Sequence, residues 1–208
     1  DMRYDVRGRL YQFSVKHPVE NGAYLDGNGN IVFCENGEKT VLFNKDVIKI
    51  PGMHNVENYC TAITAVWGLV SPENMKKVAE TFGGVEHRIE FVREYYNDSI
   101  ATSPSRVISG LNAFQQKIIM ICGGSDKGND MSQMVPLILK KVKLLVLNGA
   151  TAGKIYDAVV ADENYVNSGL IIEKTDTMEH ALMIAKENAK SGDIVSLCPA
   201  CPAFDQFK

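Results

Sequence analysis

Two apolar tetrads, Ile118-Ile119-Met120-Ile121 and Leu144-Leu145-Val146-Leu147, restrict this chain more than any other feature. Neither alternates polar with apolar residues, so a strand built from either must be covered on both faces. Strand character recurs at residues 88–96, 117–122, 143–148, 170–172 and 194–198. Helical patterns near 104–114, 135–140, 152–161 and 177–190 lie between them. This alternation predicts an α/β fold, a Rossmann-like, mostly parallel sheet with helices on either side.

The first part of the chain reads differently. Short runs at 10–15, 31–34, 40–43 and 47–50 predict strands, with turns at 26–30 and 35–37 between them. A helix over 56–70 follows, with Val56, Cys60, Ile63, Val66, Trp67 and Val70 on one face and Asn55 as N-cap. Ser71-Pro72 opens a second helix, which Gly83-Gly84 stops. The change of pattern divides the chain into residues 1–84 and 85–208. With 208 residues, 45% hydrophobic and 23% charged, two small globular domains are an ordinary expectation. A net charge of -3 argues against a nucleic-acid or anionic-membrane partner. No apolar run reaches membrane-spanning length. The 5 cysteines fall mostly in apolar runs and read as reduced, buried thiols of a cytoplasmic protein. Cys198-Pro199-Ala200-Cys201 has C-x-x-C spacing, but no second Cys or His pair matches it for zinc. Pro199 and Pro202 also break the helix that a thioredoxin-like pair would open, so no metal site is expected.

The chemistry gathers in loops that leave the carboxyl ends of the inferred strands, where open α/β sheets place their ligands. Residues 95–104, Tyr-Tyr-Asn-Asp-Ser-Ile-Ala-Thr-Ser-Pro, combine an acid, hydroxyls and a helix start, with Ser103 as cap and Pro104 in the first turn. That set suits a polyoxygenated or phosphorylated ligand, and equally an ordinary strand-to-helix turn. Gly123-Gly124-Ser125-Asp126-Lys127 allows close backbone approach and offers a cation for a carboxylate or phosphate. It is neither a dinucleotide fingerprint nor a Walker A loop, and a flexible surface turn remains the alternative. Tight strand-to-helix packing would explain Gly149-Ala150-Thr151-Ala152-Gly153. Asn55 and Asn58 share one helical face and could read a base edge, or Asn55 only caps its helix. Arg88, at the inferred boundary, suits either a phosphate or a surface ion pair.

Five motifs in order carry a family resemblance: residues 52–58 (Gly-Met-His-Asn-Val-Glu-Asn), 84–88 (Gly-Val-Glu-His-Arg), 96–104, 123–127 and 199–207. The chain resembles the Mur ligases over essentially its whole length, and among them the branch that adds D-glutamate. The resemblance implies the β-strand and helix-pair remainder of a central ATPase domain, followed by the C-terminal Rossmann-like domain. It implies ATP-dependent formation of an acyl phosphate on UDP-N-acetylmuramoyl-L-alanine, attack by the amine of D-glutamate, and release of phosphate, with Mg2+ assisting. By motif, Asn55 and Asn58 correspond to positions that hold adenine, and Arg88 and Asp98 to those that meet the nucleotide's phosphate and ribose. Thr102 and Lys127 correspond to positions holding the D-glutamate carboxylates, with Ala203 and Phe204 in the same pocket; Arg88 and Lys127 are the expected catalytic cations.

The sequence departs from the family pattern in three ways. Ile100 stands where many relatives have lysine, and Ala203 stands where a serine of the glutamate site is expected. No Gly-Lys-Ser/Thr phosphate loop, uridine-binding domain or carbamylated lysine segment is present, and most magnesium ligands belong to those parts. The expectation is therefore a portion of a ligase that is inactive alone; the competing expectation is a non-catalytic binding domain descended from one.

Overall fold

A computed structural model of the chain describes residues 8–92 and 95–202. The chain forms two compact units, Asp1–Gly83 and Gly84–Lys208.

In the first unit, strands β1 (Gln12–Ser14), β2 (Gly22–Leu25), β3 (Asn30–Glu35) and β4 (Glu38–Asn44) lie in chain order in one sheet. β1 and β2 are parallel and the other pairs antiparallel. The turn before β3 is shaped by Asp26, whose Oδ1 accepts from the Asn28 and Asn30 N–H groups at 2.9 and 2.7 Å. Helices α1 (Met53–Val66) and α2 (Pro72–Thr81) cover the sheet, and Phe33, Phe43, Val56, Cys60, Ile63 and Met75 meet in the core. Trp67 stacks on Phe33 at 3.7 Å.

Sequence reasoning misses β2, a four-residue strand of small and mixed residues that is nonetheless buried. Residues 47–50 form no strand; Lys45–Val47 is a 3-10 turn capped by Asn44. Helix α1 begins earlier than expected, after Gly52 at φ 101°, so Asn55 lies inside its first turn and does not cap it. It also ends at Val66, because Trp67 turns to φ -59°, ψ 132°.

The second unit holds a six-stranded sheet in the order β5-β6-β10-β7-β8-β9. Its strands are β5 (Glu90–Val92), β6 (Tyr95–Asn97), β7 (Ile118–Cys122), β8 (Val142–Leu147), β9 (Ile171–Lys174) and β10 (Val195–Leu197). All neighbours run parallel except β5 and β6, an antiparallel pair where a single strand over 88–96 is expected. The apolar tetrads behave as their sequence requires: Ile118 through Cys122 are all buried. Ile118, Met120 and Leu145 face the core shared with α3 (Pro104–Asn112), α4 (Val135–Lys141) and α5 (Ala152–Val160). Ile119, Ile121, Leu144 and Val146 instead pack with Ala181 and Ala185 of α7 (Met178–Asn188). The helices therefore lie on both faces, which is what the unbroken runs demand. A short helix, α6 (Tyr165–Ser168), escapes sequence detection; four residues carry too little periodicity.

Candidate functional site

The order β6-β10-β7-β8 brings four loops side by side at the carboxyl edge of the sheet. Backbone bonds stitch them together. Ala200 N–H donates to Ala101 O at 2.8 Å, Gly123 N–H to Pro199 O at 2.9 Å, Ser125 N–H to Pro202 O at 2.7 Å and Thr151 N–H to Gly124 O at 2.9 Å. The loop after β10 is thus the middle of the group, with Thr102 on the loop to one side and Lys127 on the loop to the other. Lys127 is exposed and Thr102 half-buried.

The paired glycines serve this stitching. A Cβ on Gly123 (φ 126°) would sit 1.8 Å from Asn148 O, and one on Gly124 (φ 152°) 2.4 Å from Pro202 O. Their conformational freedom is spent on contact between loops, an option that sequence alone does not separate from ligand approach or from a flexible turn. Thr151, only 1% exposed, braces the same junction. Its hydroxyl donates to Gly124 O at 2.9 Å and accepts from Gly124 N–H at 3.0 Å. Sequence reasoning passes over Thr151 as packing; its one signal is a lone hydroxyl amid small residues before a helix. Beside Lys127, Asp126 accepts from Gly128 N–H at 2.7 Å and pairs with Lys154 at 3.2 Å. These two contacts, the backbone one first, hold its carboxyl below the usual range.

Arg88 is exposed in a tight bend preceding β5. Arg88 N–H donates to Val85 O at 3.2 Å, and Ile100 N–H donates to His87 O at 3.1 Å. Asp98, directly after β6, is 5% exposed. Its Oδ1 accepts from Ile89 N–H at 3.2 Å and its Oδ2 lies 3.8 Å from the donating Cys198 Sγ. Helix α3 closes over it, since a Cβ on Gly110 would come within 2.7 Å of Oδ2. Burial pushes the Asp98 carboxyl up to about 6, against the pull of the Ile89 N–H, the Cys198 thiol and the charges of Arg88 and Arg106. Pro104 opens α3 as expected, but Ser103 does not cap it. The Ser103 hydroxyl instead meets that of Ser105 at 3.2 Å.

Asn55 and Asn58 belong to the first unit. Asn55, 7% exposed, donates through Nδ2 to Pro51 O at 2.6 Å, and Asn58 Nδ2 donates to Asn55 Oδ1 at 3.2 Å. Asn58 is exposed at the helix start. Ala203 and Phe204 lie outside the described residues. Of the expected site residues, the second unit therefore gathers Arg88, Asp98, Thr102 and Lys127 on one edge.

The carboxylates at this edge do not fit a magnesium site: Asp98 is buried against Ile89 N–H, and Asp126 is engaged by Lys154 and Gly128. Among the described residues no group of three or more His, Cys, Asp or Glu could hold a metal ion. All five cysteines are buried and outside any disulfide. Among the described residues no helix is long and apolar enough to cross a membrane.

The family described as "Mur ligase, glutamate ligase domain" matches residues 87–201, the stretch that carries this edge. The chain belongs to the Mur ligase family. The UDP-N-acetylmuramoylalanine--D-glutamate ligase of Clostridium acetobutylicum is 46% identical over 216 residues, covering 100% of the chain and 45% of the relative. That of Acetivibrio thermocellus is 44% identical over 212 residues, covering 98% and 45%. The chain thus spans less than half the length of these relatives. Among solved structures, the ligand-free bifunctional folylpolyglutamate synthase/dihydrofolate synthase of Yersinia pestis superposes with a TM-score of 0.67 at 14% identity, over 96% of this chain and 47% of that one. The murein peptide ligase of Psychrobacter arcticus gives 0.56 at 17% identity, over 92% and 43%. At such identities the likeness concerns the fold, which this Mur ligase chain shares.

Proposed function

We propose that this chain supplies the amino-acid-binding portion of an ATP-dependent ligase that joins D-glutamate to UDP-N-acetylmuramoyl-L-alanine in peptidoglycan synthesis. The observation that carries the reading is the identity of 39% to 46% to D-glutamate ligases over nearly the whole chain. The arrangement of the carboxyl edge supports it. Lys127 and Thr102 flank the loop after β10 and suit an anionic amino acid, the lysine by charge and the threonine by hydroxyl donation. Arg88 offers a planar set of donors for a phosphoryl group. Asn55 and Asn58 are assigned to adenine in this reading. Residues 1–84 would be part of a central domain and residues 85–208 the glutamate ligase domain, acting in the cytoplasm on small-molecule substrates.

In the reaction, ATP supplies the phosphoryl group that activates the substrate carboxylate. This chain's residues hold the D-glutamate carboxylates so that its amine faces the activated carbon, and Arg88 offsets charge on the phosphoryl oxygens. The carboxylates of this edge do not build a magnesium site. The 208 residues contain no Gly-Lys-Ser/Thr phosphate loop, so they are expected not to turn over alone.

The reading is tested by a heteronuclear NMR titration with D-glutamate and, as control, L-glutamate. Shifts at Thr102 and Lys127 with the D-isomer only are expected. An equal response to both isomers would reduce the site to a general anion site and overturn the D-glutamate assignment.

A further inference from the structure

Arg88 stands between two residues in the left-handed region, His87 at φ 64° and Ile89 at φ 47°. Histidine visits this region now and then, but a β-branched residue there is a genuine outlier. Such a bend persists only where its surroundings over-determine it. Those surroundings come from one short segment after β5. Asn97 Nδ2–H donates to the His87 ring at Nδ1 at 2.9 Å, and Ile100 N–H donates to His87 O at 3.1 Å. Asp98 Oδ1 accepts from Ile89 N–H at 3.2 Å. From within the bend, His87 N–H donates to Glu90 Oε2 at 2.9 Å.

We infer that Asn97 and Asp98 are positioning residues for Arg88, holding through His87 and Ile89 the bend that presents its guanidinium at the surface. The side chains grip the residues on either side of Arg88 and leave Arg88 itself exposed. What Ile89 requires of Asp98 is an acceptor at Oδ1, and its negative charge is not needed for that bond. Asp98 is 5% exposed, so its Oδ1 is turned into the chain at this bond. The inference rests on the ligase reading only for what Arg88 meets, a phosphoryl group; the clamp is a property of the chain.

The test uses the 208-residue chain and its Asn97→Ala, Asp98→Ala and Asp98→Asn variants. Heteronuclear NOEs at the Arg88 backbone and Nε–H, and exchange of the Ile89 amide, report the bend. Asn97→Ala and Asp98→Ala should lower the NOEs and speed Ile89 exchange roughly tenfold, the loss of one hydrogen bond. Asp98→Asn, which keeps the acceptor, should restore both. A merely structural role would loosen α3 and β10 together and leave Arg88 no looser than they are. The inference is overturned if 87–89 stays rigid in the alanine variants, or if Asp98→Asn behaves as Asp98→Ala. Should Asp98→Ala fail to fold, Asn97→Ala and Asp98→Asn decide. Adding ATP to the same samples separates the two readings. ATP shifts at Arg88 that fade in Asn97→Ala support both, whereas no ATP response at Arg88 in the parent chain counts against the phosphoryl role and leaves the clamp judged by the NOEs.

Discussion

At Gly123 an added methyl group would lie 1.8 Å from Asn148 O, a backbone atom that cannot give way without moving β8. Gly128, five residues on, has nothing within 4 Å of the same position and shares only a positive φ of 76°. Gly123→Ala should therefore cost about 3 kcal/mol or more, and Gly128→Ala about 1 kcal/mol, as read by urea denaturation. The two glycines look alike in the sequence; only the neighbouring loop tells them apart. Asp98 adds a pH dependence. Its carboxyl titrates at about 6 in the folded protein against 3.8 for a free aspartate side chain, so the folded state binds this proton more tightly than the unfolded chain. The groups facing it are the Cys198 thiol, the Ile89 N–H, Arg88 and Arg106. Stability from this site is fully present below about pH 4 and is lost as pH rises through 6, on the order of 2–3 kcal/mol in all. Asp98→Asn should flatten that part of the profile, measured as denaturation midpoints between about pH 4 and 7 against the parent chain.

Two Ser-Pro pairs open helices in this chain, at Ser71-Pro72 and Ser103-Pro104, and a sequence reading treats them alike. Only the first is a side-chain cap: Ser71 Oγ accepts from Asn74 N–H at 3.4 Å, whereas Ser103 makes no cap bond. Ser71→Ala is expected to lower stability by about 1 kcal/mol and Ser103→Ala to leave it almost unchanged, by thermal melts of both variants. The same limit governs how far the elements can be read. Strands β7 and β8 are legible because their unbroken apolar runs leave no other way to be buried, and α3, α5 and α7 because their apolar faces repeat at helical spacing. Strand β2 is not, since Gly22 and Ala23 carry no β signal; Gly22 is there because a Cβ would strike Gln12 O at 1.8 Å, a fact of pairing with β1. Within the candidate site, Lys127 and Arg88 stand out by charge and Asp98 by its turn, but the inward aim of Asp98 follows from α3 closing over it at Gly110. Thr151 and Asn97 act through partners distant in the chain or on the far side of the β5–β6 pair, which spacing along the chain does not reveal.

The whole molecule has a core in each unit, one around Phe33, Val56 and Ile63 and another around Met120, Ile138 and Leu145. Leu145→Ala and Ile63→Ala should each cost roughly 2–5 kcal/mol, and hydrogen exchange should register each loss chiefly in the slow amides of its own unit. A uniform loss across both units for either substitution would contradict separate cores. One consequence of the strand order concerns synthesis. Among the described strands of this sheet β10 is the last to be made, yet it lies between β6 and β7, hydrogen-bonded to both. A nascent chain that has emerged only as far as α7 has a vacant slot in the middle of its sheet and two unpaired edges facing it. The ribosome must therefore release residues 195–197 before this sheet can close, which leaves the half-made unit dependent on quick completion or on chaperone cover.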